Sequence, residues 1–284
     1  MGHGETVTWV NEELFSGTAE VLRADDRGLL YGDGLFETMR AYGGCVFCLT
    51  EHITRLLKGA EVLGLPLQYD RAALEAGITE TLTAAGFEEA YLRLTVTRGI
   101  GGRPSELEVS DGCTVIVSAR EYHGYPARIY EEGMKLSLTD ARRNDSSPLS
   151  RIKSLNYLDN ILAQHRARQS GYDEAIFLNT QELVAEGATS NVFIVEADEM
   201  RTPPLDCGVL PGIVRQCLVG GLDVVEEAFG LDRLAAADEV FLTNSLLEVA
   251  PATWLGDRRI GEGVPGPVYR DAHEFYRGLI ESGR

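Results

Sequence analysis

Positive charge is scarce in this chain: 26 Lys and Arg stand against 44 Asp and Glu over 284 residues, a formal net charge of −18, with a pI near 4.7. Nucleic acid and anionic membrane surfaces both select a basic face, so neither is an expected partner. A small anionic substrate would need a local group of arginines and backbone amides that outweighs the acidic background. No apolar stretch approaches the roughly 20 residues of a membrane span, and no crossing is expected. Internal repeats and low-complexity segments are missing as well.

Cysteine is sparse too. Of five, only Cys45 and Cys48 form a CxxC. A zinc site would want a second pair and a redox motif a suitable helix start, whereas Gly43 to Leu49 reads as a turn entering a strand, so no metal is expected. With an odd count and no signal-peptide pattern, a reducing cytoplasm is the expected home. Residues Met1 to Thr6 match a myristoylation pattern, but without a basic patch or a second acylation site they carry no expectation of an anchor.

Hydrophobic content of 44% with 25% charged residues is ordinary for a globular protein, and the length suits two domains of α+β character. Residues 1–119 alternate short strands (6–10, 45–49, 90–97 and 114–118) with helices over 50–63 and 70–85, the first carrying apolar Ile53, Leu56, Leu57 and Ala60 on one face. Residues 120–127 hold turn formers without an apolar period and read as a linker. From 128 to 284 the pattern is richer in strands (175–178, 183–185 and 192–195), with helices near 155–169 and 213–219. A sheet or barrel with helices outside it is expected there.

Lys153 is the residue most able to carry chemistry. It stands among Ile152, Leu155 and Leu158, and a lysine held that way can lose its charge and form a Schiff base with an aldehyde such as pyridoxal phosphate. Alone it reads as an ordinary solvated lysine, and what overturns that reading is the company it keeps along the chain. Four further features can be given roles around the same cofactor. Glu186 could hold a pyridine nitrogen protonated, making the ring an electron sink. The loop Gly208 to Arg215, through Gly212, runs into a helix whose amides at Ile213 and Val214 suit a phosphate. Thr243, Asn244 and Ser245 end a strand with small polar groups. His52 and Arg55, three apart, share a helix face from which Arg55 can offer a permanent cation.

Together these pieces resemble the class IV aminotransferases, the fold-type IV group of pyridoxal-phosphate enzymes. The resemblance runs from Arg27 to Thr38 through His52, Arg55 and Ile152 to Asn156, and is most specific between Glu186 and Arg215. It implies a D-amino-acid-aminotransferase-like fold: a small N-terminal α+β domain, and a larger barrel-like C-terminal domain that carries the Schiff-base lysine, with the cofactor between them. It implies Lys153 as that lysine, Glu186 at the pyridine nitrogen, Tyr157 near the phenolic oxygen, and Arg55, Gly212, Ile213, Val214 and Ser245 around the phosphate. It also implies a homodimer.

Within the family, Phe36-Glu37-Thr38 and Tyr91 to Leu94 depart from the common branched-chain pattern, and no histidine follows Arg103 as in the familiar D-amino-acid enzymes. Gly32 to Thr38, Ser190 to Phe193 and Thr243-Asn244-Ser245 are similar to the 4-amino-4-deoxychorismate lyases. The resemblance therefore implies that lyase first: Lys153 removes the C4 proton, Glu186 keeps the ring protonated, and pyruvate leaves to give 4-aminobenzoate. Thr38 and Arg103 are the expected substrate contacts. A transaminase of branched-chain or D-amino acids is the alternative, and a non-catalytic binding protein on the same scaffold the minor one.

Overall fold

A computed structural model describes residues 6–17, 20–107 and 112–283; the myristoylation pattern at residues 1–5 lies outside them. The chain divides into two units, residues 1–123 with 152–156, and residues 124–151 with 157–284.

In the first unit the strands β1 (Val7–Val10), β2 (Glu13–Ser16), β3 (Gly34–Tyr42), β4 (Cys45–Val46), β5 (Ala90–Thr97) and β6 (Thr114–Glu121) form one sheet in the order β2-β1-β6-β5-β3-β4. A short helix α1 (Arg27–Tyr31) precedes β3, and α2 (Leu49–Leu63) and α3 (Arg71–Ala85) follow β4. Strand β5 shows why one face is covered: Ala90, Leu92, Leu94 and Val96 are buried, while Tyr91, Arg93 and Thr95 alternate with them on the other face. The buried set packs with Leu35, Met39, Ile53, Leu56, Leu74 and Ile78 into one core, and full burial of each such side chain contributes about 1.5–3 kcal/mol. Helix α3 starts where the Asp70 side chain accepts from Ala73 N at 2.9 Å. Both helices stop at glycines in left-handed conformation, Gly64 and Gly86.

Two expectations for this unit change. The strand expected over 45–49 is only two residues long, because Cys48 takes a left-handed φ of 52° and Leu49 already begins α2. The linker expected from residue 120 begins later, since Arg120 and Glu121 pair with Tyr91 and Ala90 and extend β6.

The second unit holds α4 (Arg128–Glu131), β7 (Met134–Arg143), α5 (Leu158–Gln169), β8 (Glu174–Asn179), β9 (Val184–Gly187), β10 (Asn191–Glu196), β11 (Glu199–Thr202), α6 (Ile213–Gly221), β12 (Val224–Glu226), α7 (Leu231–Ala236), β13 (Glu239–Asn244), β14 (Glu248–Leu255), β15 (Arg258–Arg259) and α8 (Pro267–Glu281). Its sheet runs β12-β11-β10-β13-β14-β7-β8-β9, with β15 on β14. Strands β9 and β10 are joined by the short turn 188–190, and Gly187 N donates to Ser190 O at 2.7 Å across it. Yet they stand at the two ends of the path β10-β13-β14-β7-β8-β9, so the sheet must curl back on itself. The result is the half-barrel expected for this part of the chain.

Residues 152–156 are the exception to the expected division. The sequence reading places Lys153 on the second domain, but the segment packs with the first unit. Leu35 and Ser154 form an antiparallel bridge, Phe36 N donates to Lys153 O at 2.9 Å and Leu155 N to Gly34 O at 3.0 Å. The edge of β3 left open by the two-residue β4 is thereby paired, and the helix expected from residue 155 begins only at Leu158. Among the described residues no helix is long and apolar enough to cross a membrane.

Candidate active site

The pairing of residues 153–155 with β3 decides where the lysine points. Lys153 stands opposite Phe36, and opposed residues of an antiparallel pair share a face. The Lys153 Nζ lies 4.5 Å from the centre of the Phe36 ring, and Arg93 Cζ lies 4.1 Å from the same centre. Arg93 pairs directly with Thr38 across β3 and β5. An amine, a guanidinium, a hydroxyl and an aromatic ring thus gather on the polar face of the sheet. Thr38, one of the two expected substrate contacts, lies on this face. Arg103 is not brought there by any described contact: its side chain is exposed, on a loop tied down by Arg27, whose guanidinium donates to the carbonyls of Arg103, Pro104 and Glu106 at 3.0–3.2 Å. Arg93 was missed, although its place between Tyr91 and Thr95 on the polar alternation of β5 marks it.

On the opposite face of β3, Glu37 is fully buried and meets both residues of α2 singled out in the sequence. Arg55 donates to it from Nε at 2.8 Å and from Nη2 at 2.6 Å, and His52 Nδ1 lies 2.7 Å away. Burial by itself raises a carboxyl pKa, but the charge and hydrogen bonds of Arg55, with those of His52, more than reverse this and hold Glu37 at about 2. Burial keeps His52 below the usual imidazole value against the pull of Glu37. An ionised Glu37 can only accept, so a neutral His52 carries its proton on Nδ1. The pair expected on a shared helix face is therefore a buried clamp, which fixes the orientation of Arg55.

In the second unit Glu186 lies within β9 rather than after it, and is 4% exposed. Its Oε1 accepts from Arg143 Nη2 at 2.5 Å; its Oε2 accepts from Leu210 N at 2.9 Å and Asn191 Nδ2 at 3.3 Å. Asn191 also donates to Leu210 O at 3.0 Å, and Arg143 to Asn160 Oδ1 at 3.0 Å. These bonds set the loop that enters α6. Gly212 caps that helix with no side-chain acceptor, and any side chain there would run into the Asn191 carboxamide. The first amides of α6, at Ile213 and Val214, belong to a nine-residue helix and suit an anion. Thr243 Oγ1 is buried without a hydrogen-bond partner, an expense that a bound polar group would offset. Tyr157 Oη donates to Ala188 O at 2.8 Å. Arg143 and Asn160 went unnoticed in the sequence, being linked to Glu186 only through strand pairing and helix packing, and Asn191 was noted only as part of the motif that carries the resemblance.

In the first unit a half-buried amine and a clamped arginine, and in the second an uncapped helix N-terminus and a buried hydroxyl with no partner among the described residues, are each groups that suit part of a phosphate-bearing aldehyde. Comparisons with known proteins agree. The family profile for class IV amino-transferases matches residues 34–254. A putative branched-chain-amino-acid aminotransferase of Methanocaldococcus jannaschii is 35% identical over 89% of each chain, and a D-alanine aminotransferase of Bacillus licheniformis 34% over 96% of each. Among solved structures, the Escherichia coli branched-chain amino acid aminotransferase superposes with a TM-score of 0.91 at 27% identity, covering 97% of this chain and 94% of that one. A putative 4-amino-4-deoxychorismate lyase of Legionella pneumophila gives 0.83 at 27% identity, over 92% and 96%.

The chain belongs to the class IV aminotransferase family. It is an enzyme of that pyridoxal-phosphate-dependent group.

Proposed function

We propose that the protein is a transaminase of small aliphatic amino acids, with Lys153 as the residue that carries the cofactor and moves the proton. The observation that carries this reading is the β3 face, where the Lys153 amine and the Arg93 guanidinium both lie against the Phe36 ring. It is supported by the aminotransferase names of the relatives, which reverse the order in which the sequence ranked lyase and transaminase.

When bound, pyridoxal phosphate supplies an aldehyde that links reversibly to amines and a ring that takes up electron density from the substrate. The Lys153 Nζ would act as general base on the substrate α-proton and later return it. Arg93 presents paired N–H donors to the substrate carboxylate, which outweigh the acidic surface locally. Phe36 backs an aliphatic side chain, and Thr38 stands beside Arg93 for the remaining polar contact. In the cofactor roles we place Arg55, Ile213, Val214 and Ser245 on phosphate oxygens, Gly212 as the residue that lets the loop approach, Tyr157 near the phenolic oxygen and Glu186 at the ring nitrogen. A second copy of the chain is the expected partner: Leu158, Ile161 and Leu162 form an apolar stripe on α5 that is 64%, 55% and 42% exposed. An Ile161→Glu variant should sediment as a monomer, and an unchanged mass for variant and parent argues against this face.

The decisive test is a half-reaction. The yellow protein, given L-leucine or D-alanine without an oxo acid, should lose its visible band and release the matching oxo acid, and Lys153→Ala should be colourless and inert. The lyase reading has its own support in Thr243-Asn244-Ser245 and the likeness to the Legionella protein. If neither amino acid reacts while aminodeoxychorismate yields pyruvate with no oxo acid added, the lyase takes precedence.

A further inference from the structure

The second unit contains a buried carboxylate that none of the steps above uses. Glu174 opens β8, is 2% exposed, and grips the 188–190 turn twice: Oε1 accepts from Thr189 N at 2.9 Å and Oε2 from Thr189 Oγ1 at 2.8 Å. Several other bonds of this turn lead to residues given cofactor roles, while Ala188 N donates to Ala175 O of β8 at 2.8 Å. Ala188 O accepts from Tyr157 Oη and from Asn160 Nδ2, each at 2.8 Å. Asn160 Oδ1 in turn takes Arg143 Nη1, the arginine bound to Glu186. Thr189 O accepts from Asn244 Nδ2 at 3.1 Å, and Asn244 Oδ1 takes the amides of Leu246 and Leu247 at 2.9 and 2.7 Å, fixing the turn that carries Ser245.

We infer that Glu174 is a positioning residue, which through Thr189 sets the placement of Tyr157, of the Asn160–Arg143–Glu186 chain and of the Ser245 turn for binding pyridoxal phosphate. The inference rests on the cofactor reading above. A carboxylate serves both donors of Thr189, whereas a carboxylic acid must give up one acceptor position to its own proton. Burial pushes the Glu174 carboxyl up to about 7 despite the Thr189 hydrogen bonds and the charge of Arg168 on α5. Among the described residues the nearby titratable groups include Tyr125, pushed up first by burial and then by the Glu174 charge, and the adjacent Asp173, whose Oδ1 accepts from Arg128. The grip on the turn therefore weakens as pH falls through neutrality.

The test follows retention of pyridoxal phosphate by the holoenzyme, from its visible band after dialysis, between pH 6 and 8.5. The parent should hold the cofactor about tenfold more tightly at the alkaline end, the scale of one lost hydrogen bond to a charged group. Glu174→Gln should bind with the weaker, acid-limb affinity and show a flatter dependence. Thr189→Val should weaken binding, and Thr189→Ser, which keeps both donors, should restore it; this pair decides the matter if Glu174→Gln fails to fold. Matching affinities and pH profiles for the parent, Glu174→Gln and Thr189→Val overturn the positioning role while leaving the enzyme class intact. A parent with no visible band at any pH, unchanged by Lys153→Ala, sinks the cofactor reading instead.

Discussion

Glu37 and Glu174 are both fully desolvated carboxyls on strands, one in each unit, and they differ in opposite senses. Burial raises both. Glu37 meets a two-pronged guanidinium and an imidazole N–H and settles at about 2, while Glu174 meets the neutral donors of Thr189 and only the field of Arg168, and settles at about 7. The lesson is that hydrogen bonds from neutral groups do not offset the loss of water around a charge, and a cation in contact does. The clamp in the first unit is permanently ionised and suited to holding Arg55. The grip in the second unit titrates near neutrality.

The sharpest way to break this comparison is to remove the charge from the clamp. Glu37→Gln leaves Arg55 buried without its counter-ion, and a loss of about 3–5 kcal/mol of stability is expected, measured by denaturant unfolding at pH 7. For the parent, a carboxyl lowered from 4.5 to about 2 contributes stability that is present above pH 4.5 and lost as pH falls towards 2, on the order of 3 kcal/mol.

Glu174 should show the reverse sign and a smaller net effect. A carboxyl raised from 4.5 to about 7, with the Thr189 bonds already counted, costs nothing below pH 4.5, and its cost is fully present above pH 7, again on the order of 3 kcal/mol, of which Glu174→Gln recovers less because it gives up one of the Thr189 bonds. Glu174→Gln should therefore melt higher than the parent at pH 8, with the gap closing towards pH 5. The same substitution that loosens the cofactor would stabilise the fold, which is the trade expected where a buried charge serves function. A gap that widens on acidification would contradict this account.

The helices and their limits were largely legible locally. Asp70 before α3 and the glycines after α2 and α3 act within a turn of the chain, so their signal is in adjacent residues. The polar alternation of β5 was equally local, and with it the face that holds Arg93. Strand β3 was not read as a strand because both of its faces are mostly buried, the far one under α2, so its period-two pattern is blurred. The CxxC segment misled because one left-handed residue, Cys48, turned the expected strand into a helix start. Lys153 was singled out from the sequence, but its partners in space were not. Its pairing with β3 bridges more than a hundred residues of sequence, and a backbone ladder of that kind leaves no trace in residue type.

The order of residue types along this chain was enough to imply an acidic two-part α+β protein, since helix caps and strand alternation act over short stretches, and its motifs carried the resemblance that implied the enzyme family and its cofactor class. The three-dimensional arrangement alone decided which of 44 acidic side chains lose their water, and how far the ionisation of Glu37 and Glu174 shifts. That depends on the water lost around a carboxyl and on the partner set beside it by a distant element, such as Arg55 from α2 or Thr189 from the β9–β10 turn.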